Sequence, residues 1–288
     1  MMADAARTVV RPWFRRDVAV DDKKDESPVT IADRSAERVM RAILAERLPD
    51  HGVFGEEFGH ENAAAPWQWL LDPVDGTRSF VTGRPMFGTL IALCHHGVPV
   101  LGLLDQPVLD ERWLGVKGQP TQFFSPLGGR PATRQNVALE AAEMSCTSPE
   151  MLELAPHTGW KTLKACAKRM TWGGDCYAYG LLALGQIDLI AECDMNPWDW
   201  AALVPIIEGA GGTITAWDGT PLRMDGDRTV LAAGSAPLHQ QAVCGSAQQL
   251  FGRFYMSTST HLSLPKDKIR ILLLEGIHDS AVALLKAS

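Results

Sequence analysis

The run Trp69-Leu70-Leu71-Asp72-Pro73-Val74-Asp75-Gly76-Thr77-Arg78-Ser79-Phe80 ends an apolar stretch in two aspartates three positions apart. Pro73 stiffens the backbone between them. Both carboxylates and the Val74 carbonyl can then face one cation. Hard oxygen donors of this kind suit Mg²⁺, which takes few protein ligands and keeps several waters. Gly76 permits close backbone approach, and a helix starting at Gly76-Thr77 would turn free N–H groups toward an anion. A cation site and a phosphate site would thus adjoin. Gly55-Glu56-Glu57 and Trp198-Asp199 offer further carboxylates. Each has a simpler reading alone: a solvated turn for Glu56, a helix cap for Asp199, surface turns for Asp72 and Asp75. Spacing does not say whether the three segments meet.

The elements that would position them follow from periodicity. Residues 3–16 and 33–48 read as helices, the second with Ala36, Val39, Met40, Ile43 and Leu44 on one face. Thr30 or Asp33 can cap its start. Residues 21–26 are charged and read as an exposed loop. Strands are predicted at 68–71, 88–93, 98–106, 111–116, 145–147, 187–192, 213–217 and 229–233. Helices are predicted at 175–184 and 199–209, the latter apolar nearly all round and therefore buried. Strands and helices alternate irregularly, which predicts a layered α/β architecture rather than a simple doubly wound sheet.

A chain of 288 residues is long enough for one large domain or two smaller lobes. The net charge of −7 argues against a nucleic-acid surface, which needs a basic face. No apolar run reaches about 18 residues, so no transmembrane helix is expected. Residues 1–16 lack the apolar core and cleavage site of a secretory signal, which points to the cytoplasm. Cys94, Cys146, Cys166, Cys176, Cys193 and Cys244 include no C-x-x-C pair and read as buried thiols.

In their order along the chain, the carboxylate segments resemble the inositol monophosphatase superfamily. Its pattern is a G-E-E turn, then D-P-(I/V/L)-D-G-T-x-(S/N)-F, then W-D-x-A-A and G-A-G-G. Gly55-Glu56-Glu57, the run from Asp72 to Phe80, Trp198-Asp199-Trp200-Ala201-Ala202 and Gly209-Ala210-Gly211-Gly212 carry it. The resemblance implies an αβαβα sandwich over residues 1–250, in two lobes dividing near residue 140. It also implies Mg²⁺, two or three ions per site, a small phosphorylated metabolite as substrate, and a homodimer. Matched by motif, Glu56, Asp72, Asp75 and Asp199 are metal carboxylates, and Val74 gives its backbone carbonyl. Asp33 matches an outer carboxylate that pairs with Thr77. The amides of Gly76 and Thr77 hold phosphate oxygens. The reaction implied is in-line attack of water on phosphorus, with Glu56, Thr77 and Asp33 orienting that water and accepting its proton.

Several segments are more similar to the bacterial histidinol-phosphatase branch than to inositol phosphatases. They include Ser27-Pro28-Val29-Thr30, Gly55-Glu56-Glu57-Phe58-Gly59, Cys146-Thr147-Ser148-Pro149 and Gly173-Gly174-Asp175-Cys176-Tyr177. Histidinol phosphate, an intermediate of histidine biosynthesis, carries an ammonium and an imidazole that acidic groups would complement. Glu192, seven residues before Asp199, matches a substrate-binding position, and Asp175 is a second candidate. Glu192 also fits a strand-end charge, and Asp175 a helix cap. Arg78 is a candidate for the phosphate, and Arg84 for the rim. Inositol 1-phosphatase and nucleotide 3′-phosphatase are the neighbouring activities, and an inactive metal-binding scaffold is the reading from another class.

Residues 256–288 do not continue this pattern. From Asp267 to His278 they resemble the opening strand and turn of D-3-phosphoglycerate dehydrogenase, without that family's nucleotide-binding domain or catalytic residues. No dehydrogenase activity follows. An appended strand with unpaired edges is expected to pack loosely.

Overall fold

The computed structural model describes residues 1–16, 20–22, 28–154 and 159–246, all within the compact unit Met1–Gln249. The tail reading for 256–288 lies outside the described residues.

Long apolar strands build a seven-stranded sheet. Across it run Gly59–Glu61, Gly52–Gly55, Trp67–Asp75, Gly88–His95, Val98–Gln106, Glu111–Val116 and Gln122–Phe124. Gly52–Gly55 and Trp67–Asp75 pair in parallel, and the other neighbours are antiparallel. A second sheet has five strands in the order Arg169–Trp172, Glu143–Cys146, Leu189–Glu192, Val230–Ala233 and Thr213–Thr215. The first three are parallel and the last two join antiparallel.

Helices Met2–Val10 and Ile31–Arg47 cover one face of the large sheet. Asp175–Ala183 and Leu203–Gly209 lie between the sheets, and Ala236–Ser246, with Gly159–Cys166 against it, covers the far side of the smaller one. The result is the expected αβαβα sandwich. The central strands are buried on both faces, so their apolar runs are nearly continuous. Along Trp67–Asp75, Leu70 enters the central core while Trp69 and Leu71 enter the core under the outer helices. That is the period of two along a strand.

The middle layer approaches the large sheet closely. A Cβ on Gly102 would stand 1.9 Å from the Ala202 carbonyl oxygen, and one on Gly115 would stand 2.4 Å from the Ile206 nitrogen. Side-chain-free positions on the sheet therefore let the 197–209 segment, with Asp199 near its start, settle against it.

Two expectations need correction. The helix predicted at 199–209 is two pieces, Pro197–Trp200 and Leu203–Gly209. Pro205 has no N–H for the Ala201 carbonyl, so the ladder breaks there. Asp21 and Asp22 are not loop residues: Val20–Asp22 pairs antiparallel with Pro28–Thr30. The Gly55-Glu56-Glu57 turn is the tip of a hairpin between Gly52–Gly55 and Gly59–Glu61. At the start of Ile31–Arg47 both cap candidates are used. The Thr30 hydroxyl accepts the Ala32 N–H at 3.1 Å, and Asp33 accepts the Thr30 N–H at 2.9 Å, a capping box.

Candidate active site

Asp72 and Asp75 are three residues apart, so a regular strand would send them to opposite faces. The pairing with Gly88–His95 shifts register between them: Asp72 faces Leu90, but Asp75 faces Gly88. One extra residue on the Pro73-bearing strand reverses the parity and turns both carboxylates to one side. Asp72 Oδ1 accepts the Val74 N–H at 3.0 Å, and Asp75 Oδ2 accepts the Cys176 N–H at 2.6 Å. Asp199 is not the cap itself, a position Asn196 holds; it is the third helical residue, closing the capping box, and a member of the cluster. Its Oδ2 accepts the Asn196 N–H at 2.6 Å, and an oxygen from each of Asp72, Asp75 and Asp199 lies within 4.8 Å of the others.

Parallel pairing brings in the next residue. Gly55 stands opposite Leu71, and the Glu56 N–H donates to the Leu71 carbonyl at 3.1 Å. Glu56 is therefore beside Asp72. It is outside the trio but lines the same cavity. The sequence reading missed what holds this tip in place. Glu37, fully buried, accepts the Glu57 N–H at 2.8 Å, the Phe58 N–H at 3.2 Å and Arg41 Nε at 2.8 Å. Glu37 is four residues after Asp33 on one helix face and pairs locally with Arg41, but the two amides it accepts lie about twenty residues away, and no local signal points to them.

The Thr77 hydroxyl is 3.0 Å from the Val74 carbonyl and 3.2 Å from Asp33 Oδ1. The structure thus joins Asp33, Thr77 and Val74. Gly76 caps the short helix Thr77–Val81 in the left-handed region, φ 87°. A side chain there would also meet the Met86 carbonyl at 2.8 Å and the Asp175 carboxylate at 3.0 Å. Only glycine fits both demands. Arg78 is exposed at the cavity edge.

The cavity, about 290 Å³, is lined by Glu56, Asp75, Gly76, Thr77, Asp175 and Asp199. Glu192, Thr147, Tyr179 and Met195 also line it. Asp175 does not cap its helix; Gly174 holds that position. Asp175 Oδ2 instead accepts the Ser79 hydroxyl at 3.0 Å. Glu192 ends its strand only 1 % exposed, and its Oε1 accepts the Thr147 N–H at 2.7 Å. Tyr179 escaped the sequence reading, because an apolar helix gives no sign of which tyrosine faces the cavity.

Asp72 is pushed well above the usual range by burial, then by Glu56, Asp75 and Asp199. Burial and Asp175 lift Asp75 from 3.8 to about 7. Burial, then Asp75, pushes Asp199 well up. Burial raises Asp33, Asp175 and Glu192, the last to about 8. A buried cluster of one sign needs a cation to ionise. The donor set fits one: two oxygens across a Mg²⁺ or Ca²⁺ ion are separated by roughly 4–5 Å, the spread of this trio.

The five-layer sandwich thus carries, beside its cavity, a carboxylate trio suited to a cation. The chain belongs to the inositol monophosphatase family, whose sequence model matches residues 1–251. It is 44% identical over 251 residues to the bifunctional phosphatase IMPL2, chloroplastic, of Arabidopsis thaliana, covering 84% of this chain and 72% of that protein. A histidinol-phosphatase of Chlorobaculum parvum is 32% identical over 251 residues, covering 86% and 95%. The solved structure of an inositol monophosphatase from Zymomonas mobilis superposes with a TM-score of 0.76 at 44% identity, covering 85% of this chain and 94% of that one. These relatives and structural neighbours are phosphatases. Among the described residues no helix is long and apolar enough to cross a membrane.

Proposed function

We propose that this chain is a Mg²⁺-dependent phosphomonoesterase whose substrate is histidinol phosphate, serving histidine biosynthesis. One observation carries the reading: through Asp75 and Asp199 the carboxylate trio borders a cavity that Asp175 and Glu192 also line. A phosphate dianion is repelled by such a wall, whereas a cation at the trio reverses the local field, and acidic neighbours suit an ammonium or imidazolium group. The curated histidinol-phosphatase relatives support the same substrate.

In this reading Glu56, Asp72, Asp75, Asp199 and the Val74 carbonyl would hold the metal. A cation bound there would supply a water acidified toward neutrality and charge to offset that developing on phosphate oxygens. The Gly76 and Thr77 amides and Arg78 orient the phosphate. Thr77, which keeps acceptor lone pairs while donating toward Val74 or Asp33, aligns the attacking water, and Glu56 takes its proton. Asp175 and Glu192 receive the amino-alcohol end. The homology to an inositol monophosphatase structure favours inositol 1-phosphate as the second reading.

The test is kcat/KM with Mg²⁺ on histidinol phosphate, inositol 1-phosphate and 3′-phosphoadenosine 5′-phosphate. Histidinol phosphate is expected to lead. A clear preference for either of the others overturns the substrate but not the class. Asp75→Asn is expected to lower kcat by at least about 100-fold, as loss of metal-site groups does; full activity would favour a scaffold. Light scattering tests the expected homodimer.

A further inference from the structure

Helix Asp175–Ala183 carries two tyrosines two residues apart, whose side chains leave it in nearly opposite directions. Tyr177 donates its hydroxyl to Glu111 Oε2 of the large sheet at 2.7 Å. Tyr179, one turn after Asp175, lines the cavity with Asp175 and Cys176. It is 1 % exposed, and its hydroxyl has no hydrogen-bond partner among the described residues. Native proteins pair nearly all such groups, because a buried unpaired hydroxyl is unfavourable.

The neighbouring polar groups are already engaged. Glu192 Oε1 accepts the Thr147 N–H at 2.7 Å, and Oε2 faces the Cys146 thiol at 3.7 Å. Burial, and then the charge of Glu192, keeps the Tyr179 phenol from ionising. It is a neutral hydroxyl with a free lone pair and a free proton, in the same cavity as the trio.

We infer that Tyr179 is a specificity-determining residue, whose hydroxyl pairs with a nitrogen-bearing group on the alcohol part of the phosphomonoester. The inference rests on the proposed function and names a residue for it. A phosphate held beside Gly76 and Thr77 leaves its alcohol portion the rest of the cavity, and an amine or imidazole N–H there meets an acceptor in Tyr179. A substrate lacking such a group leaves the hydroxyl unpaired, which is how polar sites discriminate strongly.

The experiment compares wild type with Tyr179→Phe, as full chains with Mg²⁺, on histidinol phosphate and on phenyl phosphate, whose leaving group offers no N–H. Tyr179→Phe is expected to lower kcat/KM on histidinol phosphate roughly 10-fold while phenyl phosphate changes less than about 2-fold. An equal fall on both substrates, or none on histidinol phosphate, overturns the inference. Wild type that hydrolyses phenyl phosphate but not histidinol phosphate refutes the substrate reading and this inference together. Wild-type turnover with an indifferent variant refutes the inference alone. The melting temperature of substrate-free Tyr179→Phe is expected at or above wild type. A lower one shows that the hydroxyl already has a partner in the fold, and sinks the proposal.

Discussion

Thr77 has one hydroxyl proton and two acceptors within reach, the Val74 carbonyl at 3.0 Å and Asp33 at 3.2 Å. Asp33 is itself held by the Thr30 N–H and hydroxyl, so its position is set before substrate arrives. A hydroxyl pinned in this way presents its lone pairs in a fixed direction. Thr77→Ala is expected to lower kcat by about 100-fold, the lower range for a proton-transfer partner, while the Mg²⁺ concentration at half-activity stays constant. Thr77→Ser is expected to keep most of the rate. A metal titration of both variants decides, and a raised Mg²⁺ requirement in Thr77→Ala would mean that it serves the metal instead.

The hairpin tip that carries Glu56 depends on one helix. Glu37 ties down two amides of the tip and is bridged to it again through Arg41, which reaches the Gly59 carbonyl and Glu61. Glu37→Gln exchanges an acceptor oxygen for an N–H₂ that faces other donors. It is expected to cost about 1–3 kcal/mol of stability, the usual range for an unsatisfied buried group, and to lower kcat as Glu56 loosens. Urea unfolding of the metal-free protein measures the first effect. Stability equal to wild type would show that the tip is held by the sheet alone.

Across the whole molecule the buried carboxylates make stability depend on pH and metal. Asp75 titrates at about 7 in the folded protein against 3.8 ordinarily, and Asp72 and Asp199 are shifted the same way. Between these values the folded chain keeps a proton that the unfolded chain has lost. Metal-free stability therefore falls as pH rises from about 4 through about 7, and Glu192, raised to about 8, extends the fall further. Metal requires the ionised carboxylates, so it gains most where protons no longer compete. At about 100 times its dissociation constant Mg²⁺ adds about 2.7 kcal/mol, or roughly 5–10 °C in Tm for a domain of this size. The shift is expected to be larger near pH 8 than near pH 5.5. Melting curves with and without Mg²⁺ check this, and identical shifts at both values would separate the metal from these groups.

The sequence by itself determined the layered α/β class, the position of most strands and inner helices, and the acidic segments from which the site is drawn. Those features are local: apolar runs, period-two and helical spacing, and the Asp72–Phe80 motif can be read without knowing what lies opposite. The tertiary structure alone decided what faces what. The bulge at Pro73 sets the parity that puts Asp72 and Asp75 on one side. Parallel register sets Glu56 beside Asp72, and packing of the middle layer against Gly102 and Gly115 brings Asp199 over from 127 residues away. Glu37 and Tyr179 stayed hidden for the same reason: their roles lie in partners, or the lack of one, fixed by contacts between segments distant in sequence.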